Sequence, residues 1–283
     1  MHVVIAGYGW LGTALGRALR ARGDRITGIR RSHPEAVRAC GAEPLLLDLA
    51  DPASADRVPA DADAIVACQA AGGSGLEAYR AAYFEANRTL LAAARRLRLL
   101  GYVYTGSTGV FGQSEEEDVD ETTPTAPATA SGEILVEAER LVLGAVADGV
   151  PARIVRFTGL YGPGRSGVIE RVRTGALALG PGDEVWTNWC HQADAVAATL
   201  AALDRGEDGR VYHATDAHPA SRRELVEWVS ARLGIEPPRR EADADAVPGR
   251  RGANRRVHGE RTRAALGLAL RYPSFREGLA ELF

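Results

Sequence analysis

Near the start of the chain, Gly7-Tyr8-Gly9-Trp10-Leu11-Gly12 sets three glycines at the spacing GxGxxG. The six residues follow a short apolar run, His2–Ala6, and precede a stretch with helical spacing over 13–22. In that setting each glycine has its own task. Gly7 permits a tight turn, Gly9 lets the backbone approach a pyrophosphate, and Gly12 lets helix pack closely on strand. The helix N-terminus adds amide donors and a positive dipole, so all six residues are candidate dinucleotide ligands. A second strand ends Gly28-Ile29-Arg30-Arg31-Ser32. An NAD site carries an acid there for the ribose hydroxyls. Arg30 and Arg31 cannot accept those bonds, but a guanidinium pair can clamp a 2′-phosphate. The expected cofactor is therefore NADP, with NAD as the alternative. Asp48, closing the third apolar run, either contacts the adenine or caps the next turn.

Positioning these residues requires strands that alternate with helices. The runs 2–6, 25–29, 44–47, 64–68 and 102–105 are short, apolar and partly β-branched, while 13–22, 76–99 and 132–147 have helical spacing. A sixth strand, Ala152–Phe157, follows Gly149-Val150-Pro151, a helix stop and turn. The pattern predicts an α/β fold: a Rossmann-type, doubly wound parallel sheet over 1–160, with a smaller C-terminal substrate lobe. The lobe takes 161–187 and 213–283, with helices at 221–233 and 274–283, while 188–212 packs back onto the first domain. The acidic run 115–118 and the stretch 122–129 read as an exposed connection, and 239–256, charged and poor in apolar residues, as loop.

With 46% hydrophobic and 25% charged residues, the 283-residue chain is ordinary for a soluble globular protein. A formal charge of -3 gives no pull toward nucleic acid or an anionic membrane. No apolar run approaches the ~20 residues that span a bilayer. A strand that begins at residue 2 leaves no room for a secretion signal. Cys40, Cys68 and Cys190 are widely spaced without CxxC, so neither a disulfide framework nor a metal site is expected, and the expected location is the cytoplasm. All 34 basic residues are arginine, which excludes any chemistry that needs a lysine amine.

Further motifs give the chain a family likeness: Ser107-Thr108-Gly109-Val110-Phe111-Gly112, Asn87 with Thr89, Arg156-Phe157-Thr158-Gly159-Leu160-Tyr161-Gly162-Pro163-Gly164, His191-Gln192-Ala193-Asp194 and Tyr272-Pro273-Ser274-Phe275-Arg276-Glu277-Gly278. Together with the glycine motif, these resemble the extended short-chain dehydrogenase/reductase family, the NAD(P)-dependent epimerase/dehydratase group, and its atypical branch most closely. The resemblance runs nearly end to end. It implies a nicotinamide cofactor, a small-molecule substrate, Ser107 as the substrate-binding serine, and a homodimer through the helices at 76–99 and 132–147.

Three departures limit what the resemblance carries over. The family's usual spacing is GxxGxxG, and GxGxxG is typical of the atypical branch. The short chain implies a reduced substrate lobe, which argues against a bulky nucleotide-sugar substrate. The third departure is chemical. Family members carry Tyr-x-x-x-Lys past the serine turn, the phenol exchanging a proton with substrate and the ammonium lowering its pKa. With Glu139 matched to the family's downstream glutamate, Ser131 falls at the tyrosine position and Leu135 at the lysine position; sliding by two gives Thr129 and Glu133, no better a pair. A phenol has a pKa near ~10, and an alkanol is a far weaker acid. General acid–base help is worth ~10²–10⁴ in rate, so a serine cannot inherit that role.

Candidate substitutes have competing readings. Tyr161 at the sheet's carboxyl edge is a proton donor or a packing tyrosine. His191 titrates near neutrality or binds backbone. Trp186 and Trp189 stack on a planar ligand or fill the small lobe, and Asp194 is a structural partner near a helix start. The resulting expectation is an NADP-binding oxidoreductase or epimerase-like enzyme acting on a small polar carbonyl or hydroxyl compound, with Ser107 orienting it. The alternative is a catalytically silent NADP-binding sensor or scaffold.

Overall fold

Val3, Val4 and Ile5 are all fully buried, so successive side chains of the first strand are covered on both faces. That is the signature of a parallel sheet sandwiched between helices. The structure is a computed structural model that describes residues 1–73, 75–180, 182–239 and 254–283. Seven strands form the central sheet: β1 (His2–Ala6), β2 (Arg25–Arg30), β3 (Glu43–Leu46), β4 (Ala64–Ala67), β5 (Gly101–Ser107), β6 (Ala152–Phe157) and β7 (Val211–Ala214). All neighbours pair in parallel, in the order β7-β6-β5-β4-β1-β2-β3. The order reverses between β1 and β4, and a ligand crevice opens above the carboxyl ends at such a point.

One face of the sheet is covered by the helices Trp10–Ala21 and Gln192–Arg205, which bury Leu15, Leu19, Ala198 and Ala202 against Val3, Ile5 and Val103. The other is covered by Ala86–Ala94 and Ala130–Gly144, with Leu90, Leu91, Ala138 and Val142 against Val4, Ala6 and Tyr102. Each such leucine contributes roughly 1.5–3 kcal/mol relative to an exposed one. A third cluster forms the small lobe, where Ile169, Val172, Leu225, Val229, Phe275 and Leu279 meet from three short helices.

Three expectations need correction. The helix expected over 76–99 is interrupted by a π-helical turn, Arg80–Glu85. The buried Asn87 side chain donates from Nδ2 to the Tyr83 carbonyl at 2.7 Å and accepts from the Tyr102 hydroxyl at 2.6 Å. It takes the carbonyl four residues back, so the local ladder shifts register. Next, the acidic connection is partly a strand. Glu117–Val119 pairs in parallel with Arg255–Val257, and Asp118 binds the Arg256 guanidinium through both oxygens at 2.7 and 2.9 Å. The expected loop over 239–256 therefore ends in a strand, although most of it, 240–253, lies outside the described residues. Finally, the helix Glu260–Leu266 leaves the small lobe, and Leu266 joins the core beneath Gln192–Arg205.

Candidate cofactor and active site

At the end of β1 the chain turns through Gly7 with φ +88°, where a Cβ would lie 2.4 Å from Gln69 Cα. At Gly12 a Cβ would meet the Gly7 carbonyl oxygen at 2.4 Å, whereas at Gly9 it would meet nothing within 4 Å. Two glycines are thus required by contact with protein, and the middle one faces open space. Gly9 is also the N-cap of the Trp10–Ala21 helix, which has no side-chain cap. The first ladder bond runs from Thr13 N–H to the Gly9 carbonyl at 2.8 Å. The amides of Trp10, Leu11 and Gly12 therefore precede the ladder and carry the positive end of the dipole.

Side chains of this segment divide their work. Leu11 lies in the core with Leu15, so only its backbone can serve a ligand. Tyr8 is fully buried, wedged between Gly16 and Gly28, and burial pushes its hydroxyl up to about 12. Its expected ligand role is likewise restricted to the backbone. Trp10 donates its indole N–H to the Pro163 carbonyl at 2.8 Å and accepts at its own carbonyl from Gln192 Nε2 at 3.1 Å. Arg31 lies across the loop after β4, its Nη2 at 2.7 Å from where a Gly72 Cβ would stand, and Arg30 beside it is half-buried. The Asp48 carboxylate accepts from Ala50 N–H at 3.0 Å, the turn-capping alternative, on an exposed side chain.

Gln69 escaped the sequence reading. Both atoms of its amide are buried and without a hydrogen-bond partner among the described residues, beside Gly7 at the β1–β4 crevice. Leaving such groups unpaired costs about 1–3 kcal/mol each. A signal was available, since Gln69 stands two residues past the end of β4, the strand that neighbours β1 at the order reversal. An uncapped helix end, open space at Gly9 and an unpaired buried amide together fit a dinucleotide.

Ser107 ends β5, and its Oγ accepts from Gly109 N–H at 3.1 Å, which leaves its hydroxyl proton to donate elsewhere. The helix Ala130–Gly144 starts against this turn, because a Cβ on Gly132 would lie 2.7 Å from the Gly109 carbonyl. Thr129 caps it through Gly132 N–H at 3.1 Å, and Ser131 Oγ sits 3.1 Å from Thr129 Oγ1. Leu135 Cδ1 approaches the same Gly109 within 3.5 Å of a built Cβ, and its side chain is buried with Val110, Phe111 and Val136. One turn further, Glu139 receives Arg156 through two bonds of 2.8 Å, a buried bidentate pair that pins the helix to β6. Leu135 and the start of this helix therefore pack against the serine turn, while Ser131 is engaged with the capping Thr129.

The remaining candidates are drawn into packing. Tyr161 is 1% exposed, with edge-on contacts to Trp189 and His191, and burial raises its hydroxyl pKa well above the usual phenol value. His191 Nδ1 accepts from Ala193 N–H at 3.2 Å as a helix cap, and burial lowers its pKa. Asp194 holds Arg271 N–H and Tyr272 N–H at 2.8 and 3.0 Å. Trp189 packs in the small lobe and donates to Thr187 Oγ1 at 2.9 Å. Trp186 instead stacks under Arg256 at 5.1 Å, and its buried indole N–H has no partner among the described residues.

The sequence model of the NAD dependent epimerase/dehydratase family matches residues 3–215. Protein YeeZ of Escherichia coli is 33% identical over 280 residues, 96% of each chain. A 2-alkyl-3-oxoalkanoate reductase of Stenotrophomonas maltophilia is 31% identical over 252 residues, covering 82% of this chain and 75% of that protein. The solved structure of a putative NAD-dependent epimerase/dehydratase from Methylobacillus flagellatus is 30% identical and superposes with a TM-score of 0.77, covering 99% of this chain and 97% of that one. Among the described residues no helix is long and apolar enough to cross a membrane. The chain belongs to the NAD dependent epimerase/dehydratase family.

Proposed function

We propose that the chain is an NADP-dependent oxidoreductase or epimerase-like enzyme of atypical type, acting on a small polar carbonyl or hydroxyl compound. The observation that carries this reading is the uncapped glycine cradle at the β1–β4 crevice, with Arg30 and Arg31 at the end of β2. The Gly9–Gly12 backbone would hold the pyrophosphate, and the two guanidinium groups the 2′-phosphate. A bound nicotinamide supplies or takes a hydride. Ser107 orients the substrate by donating its hydroxyl proton to a substrate oxygen. Leu135, Val110 and Phe111 keep water from the floor beneath it. The reductase relative supports a carbonyl substrate.

A second reading, a catalytically silent NADP sensor or scaffold, is favoured by the family likeness, which aligns Ser131 and Leu135 with the acid/base pair. Nicotinamide absorbance with a panel of carbonyl compounds, accompanied by product analysis, separates the two readings: turnover or product supports the enzyme, and binding without either supports the sensor. NADPH is expected to bind at least about ten-fold more tightly than NADH, since charge-assisted bidentate bonds are the strong ones. Arg30→Asp is expected to narrow or reverse that preference. Calorimetric titration measures both, and equal affinities in the unmutated protein defeat the NADP assignment.

A further inference from the structure

We propose that Arg165 is a ligand of the cofactor pyrophosphate, carried to it by a strap that ties the small lobe to the glycine cradle. The inference rests on the cofactor reading above. Gly162 and Arg165 exchange backbone bonds of 3.3 and 2.8 Å across a tight turn, with Gly162 at φ +148° and Gly164 at φ +74°. This turn is docked on Trp10, the first residue of the uncapped helix, through the indole N–H bond to the Pro163 carbonyl at 2.8 Å. Gln192 fixes the other side of Trp10 through its carbonyl at 3.1 Å. The Arg165 guanidinium carbon stands 5.3 Å from the Trp10 ring centroid. Its side chain is exposed, and among the described residues no carboxylate lies within ion-pair distance.

Stacking on indole occupies the face of a guanidinium and leaves its N–H edges to bind. The charges decide the partner. A pyrophosphate bears about two negative charges, whereas the helix end offers roughly half a positive charge. The chain has no lysine, so every side-chain ammonium is excluded as a counter-charge. Arg30 and Arg31 belong to the adenosine end of the crevice, after β2. Arg165 is the guanidinium fastened to the residue that opens the phosphate-binding helix.

The test is calorimetric titration of NADPH into the unmutated protein, Arg165→Ala and Arg165→Lys, with thermal melting of each free protein. Arg165→Ala is expected to weaken NADPH about ten-fold or more without changing the melting temperature of the free protein, because the side chain is exposed. Arg165→Lys is expected to recover part of the affinity as a point charge. Trp10→Phe keeps the ring and removes the strap bond, and is expected to fall between. Unchanged NADPH affinity in Arg165→Ala overturns the proposal while leaving the cofactor reading intact. So does a loss that Arg165→Lys does not reduce, or one matched by a fall in the free protein's melting temperature. If the unmutated protein binds neither NADPH nor NADH, the cofactor reading and this proposal fall together.

Discussion

The Tyr161 hydroxyl stands 2.0 Å from where a Cβ on Gly278 would be, buried and without a partner among the described residues. A phenol in that position is a poor proton donor, because burial holds its pKa above the ordinary value. His191 fares no better as an acid at neutral pH, since its Nδ1 accepts a backbone N–H and burial favours the neutral ring. Both side chains are thus held by packing and backbone contacts, which disfavours a proton-donor role for either. Tyr161→Phe removes an unsatisfied buried hydroxyl while keeping the ring contacts. It is expected to leave nicotinamide turnover within a few-fold and to hold or raise stability, by up to about 1–3 kcal/mol. Thermal melting and initial rates check this together. A fall in turnover of a hundred-fold or more, with melting unchanged, would restore Tyr161 as the proton donor.

At the scale of elements, the first helix shows how contact can reverse a propensity. Glycine inside an open helix is about 1 kcal/mol worse than alanine, so Gly16→Ala ought to stabilise Trp10–Ala21. Here the added Cβ would lie 2.0 Å from the Tyr8 hydroxyl oxygen and 2.6 Å from its ring carbon. Overpacking of that kind costs about 1–3 kcal/mol, so Gly16→Ala is expected to lower the urea midpoint. Tyr8→Phe in the same chain is expected to return part of the loss, and a midpoint that rises in Gly16→Ala alone would falsify the wedge. What was legible in the sequence follows the same division between local and distant causes. The buried strands read as apolar runs because both faces are covered, and the cradle read as glycine spacing because each glycine has a local task. The π turn did not, since it depends on Asn87 meeting Tyr102 from β5. The strand Arg255–Val257 did not, since it is three residues long, with one apolar pair, Val257 on Val119, beside the Arg256–Asp118 ion pair. Within the site, the glycines and Ser107 were legible by spacing and likeness. The Trp10–Pro163 strap joins residues 153 positions apart, which no local pattern encodes.

At the scale of the whole molecule, sheet, small lobe and C-terminal segment meet around Asp216, two residues past β7. Its backbone N–H reaches the Trp189 carbonyl at 2.8 Å, and Ala217 N–H reaches the Pro273 carbonyl at 2.9 Å. The side chain accepts from His218 N–H at 3.3 Å, is 3% exposed, and has one oxygen unpartnered among the described residues. Burial foremost, helped by the acids Glu277 and Asp194 and opposed by the nearby His218 and Phe275 backbone N–H groups, raises its pKa to about 8. Tyr161 and Cys190 also feel its charge. An unfolded aspartate loses its proton near ~4. Between about 4 and 8 the folded chain therefore holds a proton that the unfolded chain has released, and stability falls as pH rises. Below that window both states are protonated and the group contributes no penalty. Above it both are ionised, and the penalty, on the order of a few kcal/mol, is complete. Asp216→Asn keeps an acceptor for the backbone bonds and removes the titration. Its urea-derived stability is expected to match that of the unmutated chain near pH 4 and to exceed it increasingly up to pH 8–9. Parallel stability curves for the two proteins across that range would show that Asp216 ionises without cost, and would remove it as a source of the stability lost as pH rises.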